Sequence, residues 1–130
     1  MIREDLREKR LFFDGGMGTL LQEKGLKAGE LPEIWNLEHS EEVISIHQAY
    51  IEAGSDIILT NTFGANALKF HDGVYSLEEI TKTAVAHGKE AVRRSAGGRN
   101  VYVALDVGPT GKLLKPMGDL AFAEAYEAFR

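Results

Sequence analysis

Three short apolar runs, each closing on a polar or glycine-rich cluster, constrain this sequence more than any other feature. Leu11-Phe12-Phe13 ends at Asp14-Gly15-Gly16, Ile57-Ile58-Leu59 ends at Thr60-Asn61-Thr62, and Val101-Tyr102-Val103-Ala104-Leu105 ends at Asp106. Runs this short, continuous rather than alternating and rich in β-branched or aromatic residues, fit parallel strands buried on both faces. The closing residues are evenly placed (14 to 60 and 60 to 106, 46 positions each). The segments share no repeated sequence, yet strand and helix alternate in units of similar size. Such alternation predicts an α/β fold with a parallel sheet and right-handed crossovers. In such sheets functional groups gather beyond the C-terminal strand ends.

The intervals between the runs read as helices. Ser40 is placed to cap a helix beginning Glu41-Glu42, whose acids complement the N-terminal dipole. Its inner positions are Val43, His47 and Tyr50, with Ile44 and Ile51 beside them, and Gly54 is the expected C′ residue. Ser76-Leu77-Glu78-Glu79 is a capping box, flanked by Tyr75 and Ile80 at staple positions. That helix continues through Ala84, Gly88 and Ala91 and stops before Gly97-Gly98. A third helix is expected from about Asp119, with Leu120, Ala123, Tyr126 and Phe129 as its apolar stripe.

Length then decides between architectures. A complete eight-unit barrel needs roughly 200 residues or more, and this chain has 130. Three β/α units leave sheet edges exposed and one face poorly covered. The expectation is therefore an α/β chain forming the first three β/α units of a (β/α)8 TIM barrel, incomplete over residues 1–130. The alternative is a small non-enzymatic α/β binding or assembly domain completed by a partner chain. An incomplete unit of either kind is expected to self-associate. The balance of 15 basic against 20 acidic residues, a net charge of −5, supplies no basic footprint for nucleic acid or an anionic membrane. The absence of cysteine excludes disulfides and thiolate chemistry from this chain. MIREDLREKR has no apolar signal core, and no apolar run approaches the length of a membrane span, so a cytoplasmic location is expected.

The strand-end clusters are the candidate chemistry. Asp14-Gly15-Gly16-Met17-Gly18-Thr19 is neither a phosphate loop nor a dinucleotide fingerprint, since position 21 is Leu rather than Gly. It reads either as a bare turn or as a cradle whose amides meet a carboxylate while Asp14 meets an ammonium. Thr60 through Asn66 carries more hydrogen-bonding side chains than a turn requires. In Asp106-Val107-Gly108-Pro109-Thr110-Gly111 the acid is the informative residue, because a carboxylate at a strand end must be paired or solvated. The four histidines lack metal-binding spacing. His47 reads as packed, and His39, His71 and His87 as surface residues. Leu31-Pro32-Glu33-Ile34-Trp35-Asn36 is placed to fold over the site, or Trp35 simply staples that segment to the body.

Taken together, the segments at 14–19, 52–66 and 106–111 resemble the homocysteine S-methyltransferase domain family. The nearest likeness is to the N-terminal homocysteine-binding module of cobalamin-dependent methionine synthases. The likeness runs from about Leu11 to the end of the chain and implies the opening part of a (β/α)8 barrel. It implies methyl transfer to a homocysteine thiol held on zinc, with methylcobalamin or another donor supplied by parts outside this chain. The family's zinc ligands are cysteines, so no cofactor is expected to bind this chain alone, and alone it is expected to be inactive. What the likeness carries over is part of the amino-acid grip: Asp14 and Gly15 in the first motif, Thr60 and Asn61 in the second, and Asp106 in the third. The expected partners are homocysteine and the remainder of the barrel or further domains.

Overall fold

The computed structural model describes residues 1–70 and 73–129. Its elements are α1 (Ile2–Glu8), α2 (Met17–Glu23), a 3-10 turn (Pro32–Ile34) running into α3 (Trp35–Glu38), α4 (Ser40–Glu52), β1 (Ile57–Leu59), α5 (Leu77–Ser95), β2 (Tyr102–Ala104) and α6 (Phe122–Glu127). β1 and β2 are parallel, with Ile57 opposite Tyr102, Ile58 opposite Val103 and Leu59 opposite Ala104. Helix α5 makes the crossover between them, as the alternation predicted. No described helix is long and apolar enough to cross a membrane.

The first apolar run is not a full strand. Phe13 forms a single parallel bridge to Ile57, through Asp14 N–H to the Ile57 carbonyl and Ile57 N–H to the Phe12 carbonyl. The run therefore lies on the edge of β1 away from β2. Phe12 and Phe13 remain 63% and 59% exposed.

Helix α4 is the keystone of the packing, because both of its apolar flanks are covered. Ile44 and Ile51 meet Ile58, Ala91, Ala96 and Val101 between the helices and the sheet. Val43 and Ile46 meet Leu21, Leu26 and Trp35 on the other side. Burial of each of these branched side chains contributes about 1.5–3 kcal/mol. Trp35, 6% exposed, is thus a staple for its segment, and its ring packs against His39 with centroids 4.1 Å apart and planes tilted by 36°.

Local signals behave unevenly. Gly54 follows α4 at φ +110°, a left-handed position suited to glycine at C′. Ser40, however, is the first residue of α4 rather than its cap; its hydroxyl donates to the Asn36 carbonyl, so α3 and α4 are nearly continuous and break at His39. The Ser76–Glu79 capping box forms with both reciprocal bonds. His87 is buried, not a surface residue, because the face of α5 packed on α4 includes positions 80, 84, 87, 88 and 91. His39 is exposed, and His71 lies outside the described residues.

The last helix departs most from expectation. The Lys115 amide bonds the Leu120 carbonyl and the Leu120 amide the Leu113 carbonyl, which ties 113–120 into a closed loop and delays α6 to Phe122. Leu120 is buried, but Ala123, Tyr126 and Phe129 are exposed; Ala128 is the helix-end residue that turns inward. The outer part of the stripe therefore stays open, while the Ala67 amide bonds the Ala128 carbonyl and holds the end of the helix to the loop after β1.

Candidate functional site

Beyond the ends of Phe13, β1 and β2 lies a cavity of about 370 Å³. The sequence-predicted residues Asp14, Gly15, Thr60, Asn61 and Asp106 all line it, and Glu33 lines it from the covering segment. Parallel pairing explains the convergence: in register strands, residues at equivalent ends come side by side.

Asp14 is fixed by its neighbour strand. Its Oδ2 accepts the Leu59 amide at 2.9 Å, while its Oδ1 is buried with no hydrogen-bond partner among the described residues. Burial holds the Asp14 carboxyl above its ordinary pKa; the Leu59 amide opposes this, and the charge of Asp106 adds to it. Burial likewise raises Asp106. At both residues burial favours the protonated carboxyl, and at Asp14 the neighbouring negative charge acts in the same direction.

Glycine at position 15 has a packing reason. A Cβ there would lie 2.8 Å from the Tyr50 hydroxyl, which donates to the Gly16 carbonyl at 2.9 Å. Helix α4 therefore shapes the loop. Gly16 then serves as N-cap residue of α2, a short helix that glycine-rich composition concealed.

The loop after β1 is a hydrogen-bond hub. The Thr60 and Thr62 hydroxyls are 2.7 Å apart, and Thr62 donates to the Asp106 carbonyl at 2.7 Å. That commits the Thr62 proton, so Thr60 donates to Thr62, and its own oxygen accepts the Asp106 amide at 3.2 Å. Thr60 is 3% exposed. Its hydroxyl thus joins the ends of β1 and β2 and retains one lone pair. Asn61 faces the other way: its Nδ2 donates to the Pro32 carbonyl at 2.7 Å and to Asn36 Oδ1 at 3.2 Å. Both amide hydrogens hold the covering segment.

That segment does fold over the site. Asn36, fully buried, returns its Nδ2 to the Asn61 carbonyl at 2.8 Å, and Glu33 Oε1 accepts the Gly64 amide. Glu33, Asn36 and Thr62 were not singled out as site residues from sequence. The available signal for Glu33 was an acid set among Leu31, Ile34 and Trp35, where an apolar side chain would be expected. Among the described residues, no three His, Cys, Asp or Glu side chains are grouped so as to hold a metal ion.

Comparison with known proteins agrees in sequence and in fold. The profile of the homocysteine S-methyltransferase family matches residues 11–130. Methionine synthase of Mycobacterium leprae is 31% identical over 121 residues, covering 85% of this chain and 10% of that protein. Methionine synthase of Mycobacterium tuberculosis is 30% identical over 135 residues, covering 95% of this chain and 11% of that protein. This chain thus spans about a tenth of the length of those relatives. The metallated form of the homocysteine methyltransferase MmuM from Escherichia coli superposes with a TM-score of 0.71 at 21% identity, over 85% of this chain and 42% of that one. The latter is a likeness of fold.

Proposed function

Because the chain belongs to the homocysteine S-methyltransferase family, we propose that it is the opening segment of a (β/α)8 barrel of the methionine synthase type, located in the cytoplasm. The reaction of the complete protein is methyl transfer to the sulfur of homocysteine, giving methionine. In this reading the segment supplies the grip on the amino-acid end of the substrate. The observation that carries it is the convergence of Asp14, Gly15, Thr60, Asn61 and Asp106 on one cavity beyond the strand ends.

Each residue has a distinct task. Asp14 offers its buried Oδ1 to the substrate ammonium, replacing an unpaired acceptor by a charge-assisted bond. Asp106 adds negative potential beside it. Gly15 and its neighbours bring the backbone close to the ligand. Thr60 has a lone pair to accept a further ammonium hydrogen, and Asn61 keeps the covering segment in place over the ligand.

Zinc, which the family likeness implies, does not fit the residues of this segment. The sequence has no cysteine, and the described acids and histidines form no metal cluster. In this reading the metal ligands and the methyl donor's binding site, whether for cobalamin or another donor, lie elsewhere in the polypeptide. The deciding experiment is calorimetric titration of homocysteine into the complete polypeptide and its Asp14→Asn variant. Binding that weakens with the substitution supports the reading; equal affinity of the two proteins removes Asp14 from the site.

A further inference from the structure

Glu33 has features that a structural clamp does not require. It sits in the 3-10 turn of the covering segment, is 3% exposed, and lines the cavity shared by Asp14 and Asp106. One oxygen, Oε1, accepts the Gly64 amide. The other, Oε2, is buried and has no hydrogen-bond partner among the described residues. Glycine at 64 makes this approach possible, since a Cβ there would lie 2.6 Å from Oε1.

A clamp on one amide needs one neutral acceptor, and glutamine would serve. A carboxylate taken out of water with half of its acceptors idle is unfavourable unless a cation or proton reaches it. The residues lining this cavity include three acids and neither lysine, arginine nor histidine. Its walls are therefore suited to positive charge, and among the described residues no three such side chains are grouped to hold a metal ion.

We propose that Glu33 is a second ammonium-recognising carboxylate of this cavity, acting with Asp14 to select α-amino acid ligands. The identity of the ligand as homocysteine rests on the function proposed above. The covering segment then has a recognition role in addition to closing the cavity. Its charge reaches the ligand from a different part of the chain than the strand-end acids do.

The test compares two probes in the complete polypeptide: homocysteine, and 4-mercaptobutanoate, which is homocysteine without its amino group. Glu33→Gln keeps the acceptor for Gly64 and removes the charge. It is expected to weaken homocysteine binding about ten- to a hundredfold without weakening 4-mercaptobutanoate binding or lowering the unfolding temperature. Glu33→Asp, which keeps the charge but withdraws it by one methylene, is expected to show a smaller loss confined to homocysteine and serves if the first variant does not fold. Unchanged homocysteine affinity in both variants, or equal loss for the two probes, overturns the proposal. A wild-type protein that binds no homocysteine overturns the functional reading itself, and is distinguishable because no variant comparison is then involved.

Discussion

Asn36 and Asn61, 25 positions apart, are joined by two hydrogen bonds: Asn36 Nδ2 to the Asn61 carbonyl at 2.8 Å, and Asn61 Nδ2 to Asn36 Oδ1 at 3.2 Å. The pair is buried, so its bonds are not exchangeable for water. Asn36→Ala leaves an amide and a carbonyl without partners and should lower stability by about 1–3 kcal/mol. Urea denaturation measures it. A midpoint equal to that of the unmodified chain would show that Trp35 and the bonds to Pro32 and Glu33 hold the covering segment without this pair.

Asp14 sets stability against recognition. Its folded pKa is raised, so the ionised form is disfavoured in the fold, and stability declines as pH rises through that raised value. Asp14→Asn should remove this decline in the ligand-free chain. In the complete polypeptide the same substitution should weaken homocysteine binding by about 1.5–3 kcal/mol. Thr60→Ala should cost less in binding, about 0.5–1.5 kcal/mol, and more in stability, because its hydroxyl joins β1 to Asp106. Titration calorimetry alongside denaturation at several pH values separates these effects. Asp14→Asn that loses stability at neutral pH without losing affinity would assign Asp14 to its turn.

His47 gives a pH dependence of the opposite sign. It is fully buried, and neither ring nitrogen has a partner among the described residues. Burial, with a smaller contribution from His87, lowers its pKa to about 4. The unfolded chain protonates near 6.5, so stability is lost as pH falls from there toward 4, by up to roughly 3 kcal/mol. His87 is also lowered by burial, against the opposing charge of Glu41, and adds to the loss. His47→Leu should flatten most of this dependence. Parallel acid profiles for variant and wild type, followed by denaturant midpoints, would count against it.

The 130-residue chain on its own should self-associate. Leu113, Met117, Phe122, Tyr126 and Phe129 are 46–84% exposed in the C-terminal part, and Phe12 and Phe13 are exposed at the sheet edge. Sedimentation velocity at micromolar concentration should show dimers or larger species, and Phe122→Lys should reduce them. A monodisperse monomer with cooperative unfolding would contradict the incomplete-unit reading.

What was legible in the sequence divides along a physical line. The capping box at Ser76, the C′ glycine at 54 and the alternation of runs with helices are local or periodic signals, and they appear in the fold. Helix α2 was hidden because Gly18 lowers helix propensity in its first turn, while packing against α4 holds the helix. Ile46 was missed because α4 is covered on two flanks, whereas a single stripe was sought. Of the stripe expected for the last helix, Leu120 is buried but lies before α6, while Ala123, Tyr126 and Phe129 are exposed. That Asp14, Thr60 and Asp106 share one cavity was legible because parallel strands bring equivalent ends together. Glu33 and Asn36 were not, because their place depends on hydrogen bonds across 25 and 31 positions that leave no pattern in sequence.

The loop from Thr60 to Gly64 is bonded to two walls of the cavity: to Asp106 beyond β2 through Thr60 and Thr62, and to the covering segment through Asn61 and the Gly64 amide. A change in this loop is therefore inherited by two walls at once. Altering ligand preference by single substitutions here should be difficult, since an adjustment that suits one wall displaces the other. Variation that retunes the pocket should instead accumulate in the side chains hung from the loop, while the loop itself resists change.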